Sequence, residues 1–393
     1  MITDLLKVEV DEAPETFLEL TRDNLGSNQL APTTGFVLTT SKLTQARLTG
    51  NPSPGSVWTD YACNVTSVGI RRGITLRNGT PSLEAGTASI TATGIELDPK
   101  TNGNIRPGVR LRIRAYVDST WETIYQGQVG RAVSNYGKDR TTVSIECADL
   151  VKDLANKSVD GGVAESFTTR AQTIASSIGQ PFNLTSTSPT SLAANTVQGT
   201  AAAALEMALT TEQGVAWVDR QNVLQVFGEP DVPGTTAVIA FSDTHVEDST
   251  HACYSDIGAS YDSSEQVNQV FIVNETGSGS TTYGPYEDLT SVATWGPITA
   301  TITTNFATSG EVDAFAASLL AGHSEPTLNI DSLRVKRDYI PWWAPTVEVF
   351  DVVSAEYHTE AGTITDTLRV TEIEHTIDPF TWDTNLRVIT KEA

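Results

Sequence analysis

Five short runs of alternating apolar and polar residues between Trp58 and Lys152 constrain this chain more than any other feature. They are Val65–Arg71 (VTSVGIR), Gly86–Ala92 (GTASITA), Val109–Tyr116 (VRLRIRAY), Thr123–Val129 (TIYQGQV) and Thr141–Cys147 (TTVSIEC). A period of two sends successive side chains to opposite faces of a strand, so each run buries one face and wets the other. Turn residues separate the runs at Arg77-Asn78-Gly79, Asn102-Gly103-Asn104 and Asn135-Tyr136-Gly137. The expectation for residues 57–152 is an antiparallel β-barrel domain.

The flanking segments read differently. Residues 1–56 are poorly patterned, with a strand at Thr34–Thr40 and a linker signal at Asn51-Pro52-Ser53-Pro54-Gly55, which predicts an irregular N-terminal arm with a candidate hairpin. Over 153–232, Phe167, Ala171, Ile174, Ala175 and Ile178 share a helical face that Gly179 and Pro181 terminate. A second helix runs from about Thr200 through Ala201–Leu209 and ends near Gly214, followed by a hairpin of Val215–Val218 and Val223–Phe227, which makes an α+β module. Residues 233–393 are predicted to be β-rich, with strands at Val267–Val273, Leu328–Val335, Thr346–Val353, Thr363–Ile373 and Asn385–Ile389. One helix is expected there, at Glu311–Leu320, opened by a Thr308/Glu311 capping box. The predicted class is mainly β with an α+β middle module, built from several small antiparallel β-barrel or sandwich domains. A length of 393 residues suits that division at roughly 100–200 residues per domain. No fixed-period repeat points to a solenoid or propeller.

Charge narrows the function classes. With 25 Lys and Arg against 48 Asp and Glu, the net charge is −23. Such a surface repels a phosphate backbone and argues against specific nucleic-acid binding, while letting DNA slide past without sticking. Cys63, Cys147 and Cys253 are odd in number and far apart, which fits small buried hydrophobes and a reducing place of synthesis. The opening MITDLLKVEVDEAPETF lacks a cationic head and an apolar core, and no run approaches ~20 apolar residues. A soluble protein made in the cytoplasm, without membrane insertion, is expected.

Motifs that carry chemistry are scarce. His245, His251 and Cys253 form H-x5-H-x-C, but zinc sites use tighter ligand pairs and no fourth ligand is evident. Asp98–Asn104 resembles a calcium loop only at Gly103; Lys100 and Val109 occupy positions that need oxygen ligands, so a turn is the better reading. The glycines of Gly130–Lys138 do not have P-loop spacing, and Asp139 follows the lysine. There is no G-x-S-x-G or H-E-x-x-H, and 48 carboxylates offer too many pairs to single one out. The N-x-[ST] triplets at Asn64, Asn78, Asn156, Asn183 and Asn274 are ordinary in a threonine-rich chain. No catalytic, cofactor-binding or metal-binding residue is assigned, and no cofactor is expected.

Trp342 and Trp343, between Pro341 and Pro345, are the candidate interface residues. On an extended chain adjacent residues face opposite ways, so one tryptophan packs inward while the other could meet a partner subunit or a sugar.

The order of these motifs resembles minor tail proteins of siphophages, especially those infecting actinobacteria, and more distantly the hub proteins of tail tips and baseplates. Trp58-Thr59-Asp60, then Val65–Val68 and Ile70-Arg71-Arg72-Gly73, look like the family's opening strands. Glu84–Thr91 and Ile105–Ile113 resemble "E-x-G-T-A-T-V-T-L…P-G-x-P-V-R-I", and Tyr125–Val129 is similar to the following "F-x-G-x-V". The Gly214–Gly228 hairpin resembles the middle module, and Val347–Val353, Leu368–His375 and Trp382–Val388 the closing barrel. The family's "P-G-D" is Ala344-Pro345-Thr346 here, and the arm before residue 57 is longer than the pattern.

The resemblance, spanning about residues 58 to 390, implies a structural virion protein of the phage tail tip. Such proteins form a ring, commonly a homotrimer, that closes the tail tube and supports receptor-binding or spike components. The implied partners are other tail proteins: distal tail, tape-measure and receptor-binding proteins. Two readings compete with it, a tail-associated cell-wall hydrolase and a carbohydrate-binding adhesin using Trp342 or Trp343.

Overall fold

The computed structural model describes residues 6–12, 36–40, 43–48, 57–60, 64–77, 80–117, 119–195, 199–234, 236–243, 248, 250–262, 266–339, 341–359 and 362–390. Strands dominate, and buried side chains gather into three hydrophobic cores. The protein is mainly β.

The alternating runs form strands. β1 (Leu6–Glu12), β2 (Phe36–Thr40), β3 (Leu43–Leu48) and β4 (Val57–Asp60) precede β5 (Asn64–Gly73), β6 (Thr87–Thr93), β7 (Arg110–Val117), β8 (Thr120–Tyr136) and β9 (Thr141–Ala148). Ala88, Ile90 and Ala92 of β6 and Leu111, Ile113 and Ala115 of β7 point inward, while their neighbours are more exposed. β2 and β3 pair as a hairpin. β8 runs well beyond the expected Thr123–Val129: it pairs with β7 as far as Gln128, then with β9 from Gln128 onward. A register shift between Val129 and Arg131 bends it between the two partners. Asn135 and Tyr136 therefore lie in the strand, and the turn expected there begins only at Gly137.

The middle unit comprises α1 (Val151–Asn156), α2 (Phe167–Ser177), β10 (Phe182–Thr185), α3 (Ala201–Glu212), β11 (Val215–Val218) and β12 (Leu224–Phe227). Hydroxyl caps start the two longer helices: Ser166 Oγ accepts the Thr169 N–H, and Thr200 Oγ1 accepts the Ala203 N–H. α3 runs to Glu212, in keeping with the expected end near Gly214, and Gln213 (φ 58°) takes the left-handed capping position. β12 lies between β10, which is parallel to it, and the antiparallel β11. Phe167, Leu205, Leu209 and Leu224 are wholly buried in this unit's core.

The rest of the chain supplies β13 (Ile239–Ser242), β14 (His251–Cys253), β15 (Asp256–Asp262), β16 (Gln269–Thr276), β17 (Gly279–Glu287), α4 (Leu289–Trp295), β18 (Thr299–Thr304), α5 (Ser309–His323), β19 (Thr327–Arg337), β20 (Val352–Thr359), β21 (Gly362–Ile377) and β22 (Trp382–Thr390). α5 carries the expected capping box and buries Val312, Phe315, Ala316 and Leu319 against β16 and β18. Two expectations are corrected here. Among the described residues there are two helices, not one: α4 is short and rich in β-branched residues, so its sequence gives a weak helical signal, but Asp288 caps it by accepting from the Thr290 and Ser291 N–H groups. The strand expected over Thr346–Val353 is also absent from most of that stretch, and β20 starts at Val352. Asp351 Oδ2 accepts the Glu348 N–H at 2.7 Å and Phe350 sits at φ 70°, a local turn that an extended strand cannot contain.

Sixteen strands make one sheet, in the order β2-β3-β4-β1-β7-β8-β9-β6-β5-β21-β20-β13-β14, with β22, β19 and β15 following from the other edge of β21. β21 is the junction. Its residues 362–369 pair with β20 and 372–377 with β5, while β22 runs alongside residues 368–377. Strands from both ends of the chain thus share one core, from Ile90, Leu111 and Ile145 to Val353, Leu368 and Leu386. Gly73 makes the close approach at the seam. A Cβ there would lie 2.5 Å from the Thr371 carbonyl oxygen and 2.7 Å from Glu372 Cα.

Candidate functional site

Buried polar groups concentrate where β5, β21 and the middle unit meet. Arg72, on β5, reaches Glu348 in the turn before β20. Glu348 Oε2 also accepts the Arg220 N–H at 3.2 Å from the β11–β12 turn. Next to it on β5, Arg71 donates to Glu372 at 2.7 Å and to Glu84 at 3.0 Å. Asp149 takes the N–H groups of Gly86 (2.8 Å) and Val151 (3.0 Å), and burial pushes its carboxyl up to about 7. His375 Nδ1 lies 2.9 Å from Thr384 Oγ1 and 3.3 Å from Trp382 Nε1; burial, with help from the Arg72 charge, pushes its pKa down to about 3. Arg72, Asp149, Glu372 and His375 are buried, while Arg71 and Glu84 are partly exposed. Their contacts tie β5, β21 and the middle unit together.

The large opening is elsewhere, between the middle unit and α5. It is an open groove of about 490 Å³, lined by the Ser188–Thr190 loop, the end of α3, Glu229 and Pro230, and Phe306, Glu311 and Phe315. Phe306 and Phe315 pack with ring centroids 5.6 Å apart to form an apolar wall. Two polar contacts fix its width: the Asn305 N–H donates to Thr211 Oγ1 at 2.9 Å, and Gln213 Nε2 to Ser318 Oγ at 3.4 Å. No lysine, arginine or histidine lines it.

Glu212 is the unusual residue in this groove. It is the last residue of α3, 5% exposed, and its Oε2 has no hydrogen-bond partner. Burial raises its carboxyl above the ordinary range; the Ser188 and Thr190 hydroxyls and the Glu229 N–H oppose the shift, and the Glu229 charge adds to it. Glu311, across the groove, is engaged in its capping box. The sequence reading passed over Glu212. Its available signal was an acidic residue ending an alanine-rich helix, where the helix dipole disfavours negative charge.

The residues singled out from sequence lie apart from this groove. Trp343 is fully buried, edge-on to Phe241 at 5.2 Å, while Trp342 is half-buried against the main core. Residues 342–345 form a turn, so the facing rule for an extended chain does not apply to them. His251 Nδ1 sits 3.1 Å from Asp248 Oδ1, and Cys253 is half-buried; His245 and Cys63 lie outside the described residues. Asp98–Asn104 is a turn in which Asp98 Oδ1 accepts from the Lys100 N–H, Ser134 and Tyr136. Cys147 is buried, which pushes its thiol up to about 12.

The sequence matches no protein-family model and no curated protein. The fold does have relatives among solved structures. A tail protein from Neisseria meningitidis MC58 superposes with a TM-score of 0.57 at 14% identity, over 84% of this chain and 93% of that one. The 43 kDa tail protein of prophage MuSo2 from Shewanella oneidensis gives 0.57 at 14% identity, over 86% and 96%. At these identities the likeness is one of fold.

Proposed function

We propose that this chain is a structural protein of a phage tail, a minor tail or hub protein that assembles at the end of the tail tube and supports receptor-binding or spike components. The observation that carries this reading is the end-to-end fold likeness to two tail proteins, over 93% and 96% of their lengths. The motif order in residues 58 to 390 points the same way and favours a siphophage of actinobacterial hosts. The wide sheet with its shared core suits a stiff platform, and a net charge of −23 suits a wall past which DNA travels.

In this reading the chain is not an enzyme, forms a homotrimer, and contacts distal tail, tape-measure and receptor-binding proteins in the virion. It binds no specific nucleic acid. The segments 1–56, 57–152, 153–232 and 233–393 are its proposed domain units. Immunogold labelling of tailed particles from the source strain tests the assignment: label at the tail tip is expected, and label confined to the head or absent from particles overturns it. Light scattering of the purified chain tests the trimer, and lysis of host cell walls in a zymogram would favour the hydrolase instead.

A further inference from the structure

Glu212 combines three circumstances that each disfavour a carboxylate. It ends α3, where the helix already carries partial negative charge; it is 5% exposed; and Glu229 stands close enough to repel it. The last turn of α3 contains no basic residue, and none lines the groove. Glu212 lines the groove, its Oε2 buried and without a partner in the chain, so a cation supplied from outside would offset the three penalties on its carboxylate.

We propose that this groove receives an arginine or lysine side chain presented by a partner protein, its charged end against Glu212 and its methylene stem along Phe315 and Pro230. Charge complementarity selects the head group. The apolar wall selects a long side chain over a bare ion, because lysine and arginine bury their stems while pairing their tips. A volume of 490 Å³ accommodates the anchor with the residues on either side of it, which points to a protein segment. Among the described residues, no three His, Cys, Asp or Glu side chains are placed to hold a metal ion.

The site does not rest on the tail reading, since the isolated full chain can be tested for it whatever assembly it joins. The probe is a fluorescent glycine–serine peptide with one central arginine, compared with the same peptide carrying citrulline, which keeps the shape and loses the charge. Wild-type chain should bind the arginine peptide at least tenfold more tightly by anisotropy. Glu212→Gln should abolish that preference. Glu229→Lys, at an exposed position, should abolish it too by placing a tethered cation over the groove. Glu374→Gln, exposed on the main sheet, should retain it. Equal binding of the two peptides to wild type, or a preference that survives Glu212→Gln, overturns the proposal. So does calcium binding that Glu212→Gln removes, which would mark a metal site, or self-association lost in Glu229→Lys, which would mark a contact between copies. Absence of the protein from tail tips would leave the peptide result untouched.

Discussion

Arg72 and Glu348, 276 positions apart in sequence, form an ion pair in which the arginine is 2% exposed. The pair joins β5 to the turn ahead of β20, and the Arg220 N–H brings in the middle unit as a third party. A buried pair of this kind fixes geometry more than it adds net stability, but removing one partner strands the other charge. Arg72→Ala should therefore cost about 3–5 kcal/mol in urea unfolding. The double substitution Arg72→Leu with Glu348→Leu should cost clearly less than the two single ones added together. Additive losses would show that the two residues act independently.

His375 should make stability depend on pH. Its folded pKa of about 3 lies below the ordinary 6.5, so the unfolded chain takes up the proton first as pH falls. The stability held by the neutral imidazole is complete above pH 6.5 and drains away between 6.5 and about 3. The loss runs at about 1.4 kcal/mol per pH unit. The stability gap between wild type and His375→Gln should narrow on acidification across that window. A gap that stays constant would contradict the assignment.

Gly73 should resist even the smallest side chain. A Cβ at this position meets the Thr371 oxygen and Glu372 Cα, both backbone atoms that cannot rotate away. Gly73→Ala is expected to destabilise by about 1–3 kcal/mol, the usual cost of overpacking, or more if the seam opens. Amide exchange should quicken on β5 and β21 before it does so in the middle unit.

The two adjacent tryptophans should behave unequally. Trp343→Ala removes a fully buried ring from the main core and should cost about 3–5 kcal/mol. Trp342→Ala removes a half-buried ring and should cost less. Comparable losses in thermal or urea unfolding would argue against the burial difference.

Much of this architecture was legible in the residues. The period-two runs of 65–147 and the Thr308/Glu311 capping box appear in the structure because their determinants are local: alternation sets a strand's faces, and a hydroxyl three residues before a glutamate sets a helix start. What escaped depends on distant contacts. That β5 ends beside β21 is decided by packing across 301 positions, as in the Arg71–Glu372 pair. Local tight turns also hid the true start of β20, since Val347, Val349 and Val353 alternate as a strand would while Phe350 breaks it. The groove escaped because it is assembled from a loop, two helices and a turn, and only Glu212's position against the helix dipole marked it within the chain.

The sharing of β21 has a consequence during synthesis. Arg71 leaves the ribosome 301 residues before Glu372. At about 5–20 residues per second, that is a wait of about 15–60 s. Throughout it, the edge of β5, with Val68 and Ile70 beside it, stands without the strand that closes it. A nascent chain in this state offers a sticky edge to its neighbours on the same message, and a chain stopped short of β21 keeps that edge for good. Interrupted translation products should therefore collect in the insoluble fraction, while completed chains hide the edge by their own last strands.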